Sequence, residues 1–127
     1  MGKTALVSFD VENGQRVIDA LNKEGVTLDV AFWAVLPQYE DWRLVVASNQ
    51  LQGRSLLESY NIINSAMRKA GMTLLTEPTV YFRRMDEPFI EELRSIFSSV
   101  GDTYGMRLGG QKFGDQYIED AFVYRIR

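Results

Sequence analysis

The chain has no cysteine and no histidine among its 127 residues. Without cysteine there is no disulfide, thiolate metal site or thiol nucleophile, and nothing calls for an oxidising compartment; a reducing cytoplasm is the expected location. Without histidine the usual near-neutral acid and base is missing, together with the imidazole of Ser and Cys triads and the commonest transition-metal ligand. Chemistry would have to draw on Asp, Glu, Lys, Arg, Tyr and backbone groups, with hard cations such as Mg²⁺ as the metals that fit them. The inventory tilts away from catalysis: no residue is assigned a catalytic or metal-binding role, and no cofactor is expected.

Other absences narrow the field further. No apolar run is long enough to span a bilayer, so no membrane segment is expected. The amino terminus lacks the charged, apolar and small-residue order of a signal peptide, and Leu6 stands where N-myristoylation wants Ser or Thr. Basic charge is not in excess, since 14 Lys and Arg face 17 Asp and Glu for a net charge of -3, which argues against sequence-independent nucleic-acid binding.

What is present reads as one globular domain over residues 1–127, 46% hydrophobic and 24% charged. Val11, Gly14, Ile18 and Leu21 recur at helical spacing between Ser8 and Glu24, ahead of Gly25. Residues 4–8 fit either the start of this helix or a short strand. Residues 29–36 (DVAFWAVL) and 42–48 (WRLVVAS) read as a hairpin across PQYED. The first strand is apolar on both faces, which calls for cover by helices or by a second copy of the chain.

A helix follows over residues 54–70, with Leu56, Tyr60, Ile63, Met67 and Ala70 on one stripe. Residues 79–84 (TVYFRR) read as a third strand. Asp86-Glu87-Pro88 opens a third helix whose buried face runs from Phe89 to Val100. Residues 118–126 alternate as a last strand, with YGMRL as a candidate strand before it. The expectation is an α+β fold, an antiparallel sheet of about four or five strands with three helices packed on it, in the order α-β-β-α-β-α-β.

Candidate sites are sparse. Gly2-Lys3-Thr4 echoes the end of a phosphate loop but lacks the strand and glycine cradle that loop needs. Gly101, Gly105, Gly109, Gly110 and Gly114 crowd the segment between the last helix and the last strand. They follow a helix and lead into a strand, the reverse of a phosphate cradle, and fit a tight hairpin loop. Gly109-Gly110-Gln111 resembles the Gly-Gly-Gln tripeptide of release factors and related peptidyl-tRNA hydrolases. The resemblance covers three residues; Lys112-Phe113-Gly114-Asp115 departs from that family, which is basic overall.

The polar binding site, if this end of the chain forms one, comprises Arg107, Gly109, Gly110, Gln111, Lys112, Asp115, Glu119 and Arg125, with strand alternation putting Glu119 and Arg125 on one face. Arg83 and Arg84 with Arg125 and Arg127 would form a basic patch if their strands were parallel neighbours. Gly53-Arg54-Ser55 stands at a helix start that favours an anion or an ordinary cap. Among the aromatics, Trp33, Trp42, Tyr81 and Tyr124 are candidate interface residues.

Three functions remain. The leading one is a protein-interaction or regulatory module acting through a sheet or aromatic surface, with a protein partner or itself, as a homodimer, on the other side. The first alternative is a histidine-free, metal-dependent hydrolase or phosphoesterase using carboxylates near the glycine-rich loop. The second is a nucleic-acid-associated protein with a local arginine patch, which the net charge disfavours.

Overall fold

A computed structural model describes residues 5–127. The Gly2-Lys3-Thr4 and myristoylation readings, and Thr4 of the undecided opening stretch, lie outside the described residues. Ala5 to Val7 are neither helix nor strand.

The elements are α1 (Ser8–Lys23), β1 (Val30–Val35), β2 (Arg43–Ala47), a 3-10 turn (Asn49–Leu51), α2 (Leu56–Lys69), β3 (Val80–Phe82), α3 (Pro88–Phe97), β4 (Arg107–Leu108), β5 (Gln111–Phe113), β6 (Gln116–Ile118) and β7 (Asp120–Ile126). The fold is α+β. A five-stranded sheet runs in the order β3-β2-β1-β7-β4, and β5 and β6 form a separate hairpin. The sheet is mixed rather than purely antiparallel as expected, because β3 pairs with β2 in parallel. The cause is the connection: α2 lies between β2 and β3, and a helical crossover carries the chain back to the end where the first strand began.

Local chemistry sets the helix ends. Asp10 accepts from the Val7 amide at 3.2 Å to start α1. The Val26 and Gly25 amides close it on the Leu21 and Asn22 carbonyls. Ser55 and Glu58 exchange reciprocal side-chain-to-backbone bonds of 3.1 Å at the start of α2, and Pro88 occupies the first turn of α3.

The sheet has two buried faces. On one, Ala31, Trp33, Leu44 and Val46 meet Val17, Ile18 and Leu21 of α1 and Ile63, Ala66 and Met67 of α2. On the other, Val30, Phe32, Ala34, Val45 and Ala47 meet Phe89, Ile90 and Leu93 of α3, with Phe113 and Ile118 of the hairpin. All six residues of β1 are buried, and the chain's own helices cover both sides of the strand.

A hydrogen-bonded latch joins α1 to the sheet. The Trp33 indole N–H donates to the Tyr124 hydroxyl at 3.0 Å, and that hydroxyl donates to the Val11 carbonyl of α1 at 2.5 Å. Gly14 makes room for it: a Cβ there would fall 2.2 Å from the Tyr124 oxygen and 2.8 Å from Trp33 Nε1. Burial pushes the Tyr124 phenol well above its ordinary value, a shift that the Trp33 bond opposes.

Two outcomes follow from this latch. Gly14→Ala should destabilise the fold by about 1–3 kcal/mol through overpacking, although alanine is the better helix former by about 1 kcal/mol; urea unfolding measures the net effect. The raised Tyr124 value means that stability is fully present below the ordinary phenol value of 10.0 and declines as pH rises past it, because the unfolded chain ionises first. Thermal unfolding between pH 8 and 12 should show a shallower alkaline decline for Tyr124→Phe than for the parent; equal slopes would contradict the assignment.

Candidate functional site

The glycine-rich segment is built into the fold as a corner and a hairpin. A Cβ on Gly109 would lie 2.7 Å from the Glu119 carbonyl oxygen, so the chain passes there without room for a side chain. Gly114 has φ of +57° in the turn between β5 and β6, and its Cβ would meet the Pro88 carbonyl carbon at 2.5 Å. Its amide donates to Glu92 Oε1 of α3 at 2.6 Å, and Phe113 packs at 6.3 Å from Phe97. These contacts fold the hairpin onto α3. Gly110 turns the chain into β5, its amide donating to the Ile118 carbonyl at 2.9 Å.

The polar residues of this end are dispersed. Gln111 and Lys112 are exposed on β5, and Asp115 is exposed in the turn. Glu119 is exposed between β6 and β7, with its amide bonded to the Val35 carbonyl at 2.9 Å. Arg107 holds Asp120 at 2.7 Å and the Ala121 carbonyl at 2.9 Å, clamping β4 to β7. Arg125 lies near the far end of β7 from Asp120, on the sheet face that α1 covers, paired with Ala31. Among the described residues no three acids converge as a metal site requires.

A β-bulge explains the position of Arg125. Ala31 pairs with Arg125 and Phe32 with Val123, leaving Tyr124 as an extra residue. Tyr124 and Arg125 therefore both serve the α1 face, and the strict alternation that would align Glu119 with Arg125 is broken.

The arginines of the expected basic patch are set apart. β3 and β7 run in the same direction but are separated by β2 and β1, about 14 Å at ordinary strand spacing, so Arg83 and Arg84 do not adjoin Arg125 and Arg127. Arg83 lies 4.0 Å over the Tyr81 ring and bonds Glu87 at 3.3 Å; Arg127 faces Asp29 at 3.5 Å. At the start of α2 the anion is supplied internally. Glu58 caps Ser55, whose backbone and then side-chain hydrogen bonds hold its carboxyl below the ordinary range.

Trp33 and Tyr124 are buried in the latch. Tyr81 packs edge-on against Tyr39 at 5.4 Å, and burial raises its phenol above the ordinary value. Trp42 is half-buried and lines a cleft of about 280 Å³ with Trp33, Asp10, Asp41 and Glu77. Two of those acids are already committed, Asp10 to the α1 cap and Glu77 to Arg68 at 2.9 Å.

Two features stand apart from these internal roles. A cleft of about 160 Å³ opens between α1 and the bulge, floored by Ile18, Leu28 and Ala31, walled by Tyr104 and Tyr124, and edged by Gln15 and Arg125. The turn after α2 presents Leu74 and Leu75 at 88% and 89% exposure. Sequence reasoning named Arg125 and Tyr124 but not the cleft that joins them, and it passed over the turn. Leu74-Leu75 has no periodicity to attract notice, though an apolar pair between threonines in a loop was a usable signal. Gln15 and Tyr104 are brought to the cleft only by tertiary packing. Comparison with known protein families, curated proteins and solved structures matched none of them to this chain.

Proposed function

We propose that the chain is a protein-interaction module whose contact surface is the Leu74–Leu75 turn. Cover on both sheet faces and the burial of Trp33 and Tyr124 move the contact away from the sheet and toward this turn. The observation that carries the reading is the near-complete exposure of two adjacent leucines on a hydrogen-bonded turn.

The order is local. The Thr76 and Glu77 amides both donate to the Thr73 carbonyl, at 2.9 and 2.8 Å, and the Thr73 amide donates to the Thr76 hydroxyl at 2.9 Å. Glu77 is then held by Arg68 of α2. A turn fixed before binding loses little entropy on docking. Burying each leucine is worth about 1.5–3 kcal/mol, so the pair supplies an anchor, and surrounding contacts must supply the rest of a micromolar affinity.

The partner is another protein or a second copy of the chain. The test is Leu74→Ser with Leu75→Ser in one variant. Because neither side chain contributes to a core, unfolding free energy should stay within about 0.5 kcal/mol of the parent. Sedimentation velocity at micromolar concentration should show a parent assembly, with itself or with a captured partner, that the double variant loses. A parent that remains monomeric and captures nothing, or a variant that associates as the parent does, would defeat the reading.

A further inference from the structure

The five-stranded sheet ends on β3 at one side and on β4 at the other. An edge strand presents unpaired backbone donors and acceptors on which another strand can build. β4 offers little, since it holds two residues before the Gly109-Gly110 corner. β3 is the longer edge, and its alternation decides which groups it offers. The Thr79 carbonyl accepts from the Leu44 amide at 2.8 Å and the Arg83 amide donates to the Val46 carbonyl at 2.9 Å, so both face β2. Pro78, Val80 and Phe82 therefore turn their backbone groups outward.

Both outward groups of Phe82 are taken by side chains. Its amide donates to the Tyr60 hydroxyl of α2 at 2.9 Å, and its carbonyl accepts from Arg83 Nε at 2.6 Å. Each of these side chains is itself held in place. The Tyr60 ring meets the Phe82 ring edge-on at 6.1 Å, while the Arg83 guanidinium lies 4.0 Å over the Tyr81 ring and 3.3 Å from Glu87.

A second copy would add to this edge about a twofold axis, the commonest symmetry of self-contacts. Antiparallel pairing centred on Tyr81 sets Val80 of one copy opposite Phe82 of the other. Every backbone bond of that pair uses a Phe82 amide or carbonyl from one copy or the other, so engaging this one residue disables the ladder. The neighbouring register, Val80 opposite Val80, brings Phe82 against Pro78, which has no N–H to donate. We propose that Tyr60, Arg83 and Pro78 hold the β3 edge shut against strand pairing with a second copy of the chain.

The test is made in the Leu74→Ser, Leu75→Ser background, so that association through the turn does not enter the result. Tyr60→Phe with Arg83→Ala frees the Phe82 amide and carbonyl, and Tyr60→Ala with Arg83→Ala also removes the ring. Sedimentation velocity at submillimolar concentration should show the opened variants associating more than their background, with hydrogen-exchange protection of the Val80 and Phe82 amides rising with concentration. In dilute solution Tyr60→Phe alone should speed exchange of the Phe82 amide about fivefold or more, the loss expected for one hydrogen bond. Folded opened variants that associate no more than the background, association without new protection at Val80 and Phe82, or an unchanged Phe82 rate in Tyr60→Phe would each overturn the proposal and leave the reading of the Leu74–Leu75 turn untouched. If the Tyr60→Ala pair does not fold, the Tyr60→Phe pair decides alone.

Discussion

Gly14 lets two aromatic side chains of the sheet reach the backbone of α1, and the arrangement of that whole face depends on the contact. Tyr124 accepts from Trp33 and donates to the Val11 carbonyl, so one hydroxyl ties β1, β7 and α1 together. Each of these polar atoms lies in an apolar layer where an unpaired donor or acceptor costs about 1–3 kcal/mol. A glycine inside a helix costs about 1 kcal/mol relative to alanine, and here that cost is offset by the contacts it permits. Specific placement of α1, rather than bulk stability, is what the latch contributes.

The bulge in β7 is the second half of the same arrangement. One extra residue lets Tyr124 enter the latch while Arg125 remains beside α1. Without the bulge, consecutive side chains would be divided between the faces, and the arginine would leave the tyrosine wall. The cleft is thus a by-product of how the central strands register. The Leu74–Leu75 turn is independent of it, held by threonine hydrogen bonds and the Arg68–Glu77 pair.

Much of the fold was legible because it rests on local rules. The middle of the α2 stripe at Tyr60, Ile63 and Met67, though not its ends at Leu56 and Ala70, which are exposed, together with the Ser55–Glu58 cap, Pro88 at the start of α3 and the doubly apolar β1, are visible in residue types and spacing. The β2-α2-β3 order also held the clue to a parallel pair, since a helix between two strands is the usual route to one, but the adjacent hairpin pattern drew the reading toward an antiparallel sheet. The close of the chain was harder. Gly109 and Gly114 looked like a loop about to meet a ligand; what they meet is the Glu119 backbone and the first turn of α3. Close approach was correctly implied by the glycines, while its partner depended on tertiary packing. For the same reason Arg125 was singled out with Glu119 and is found instead with Gln15, Tyr104 and Tyr124, because alternation cannot foresee a bulge.

Hydrogen exchange of the Trp33 indole N–H tests the latch most directly. If Trp33, Tyr124 and α1 are one unit, this proton exchanges only when the central strands unfold, at the opening free energy of the β1 backbone amides. Exchange at a markedly lower opening free energy, with the β1 amides still protected, would show that α1 lifts from an intact sheet and that the latch does not hold the face together.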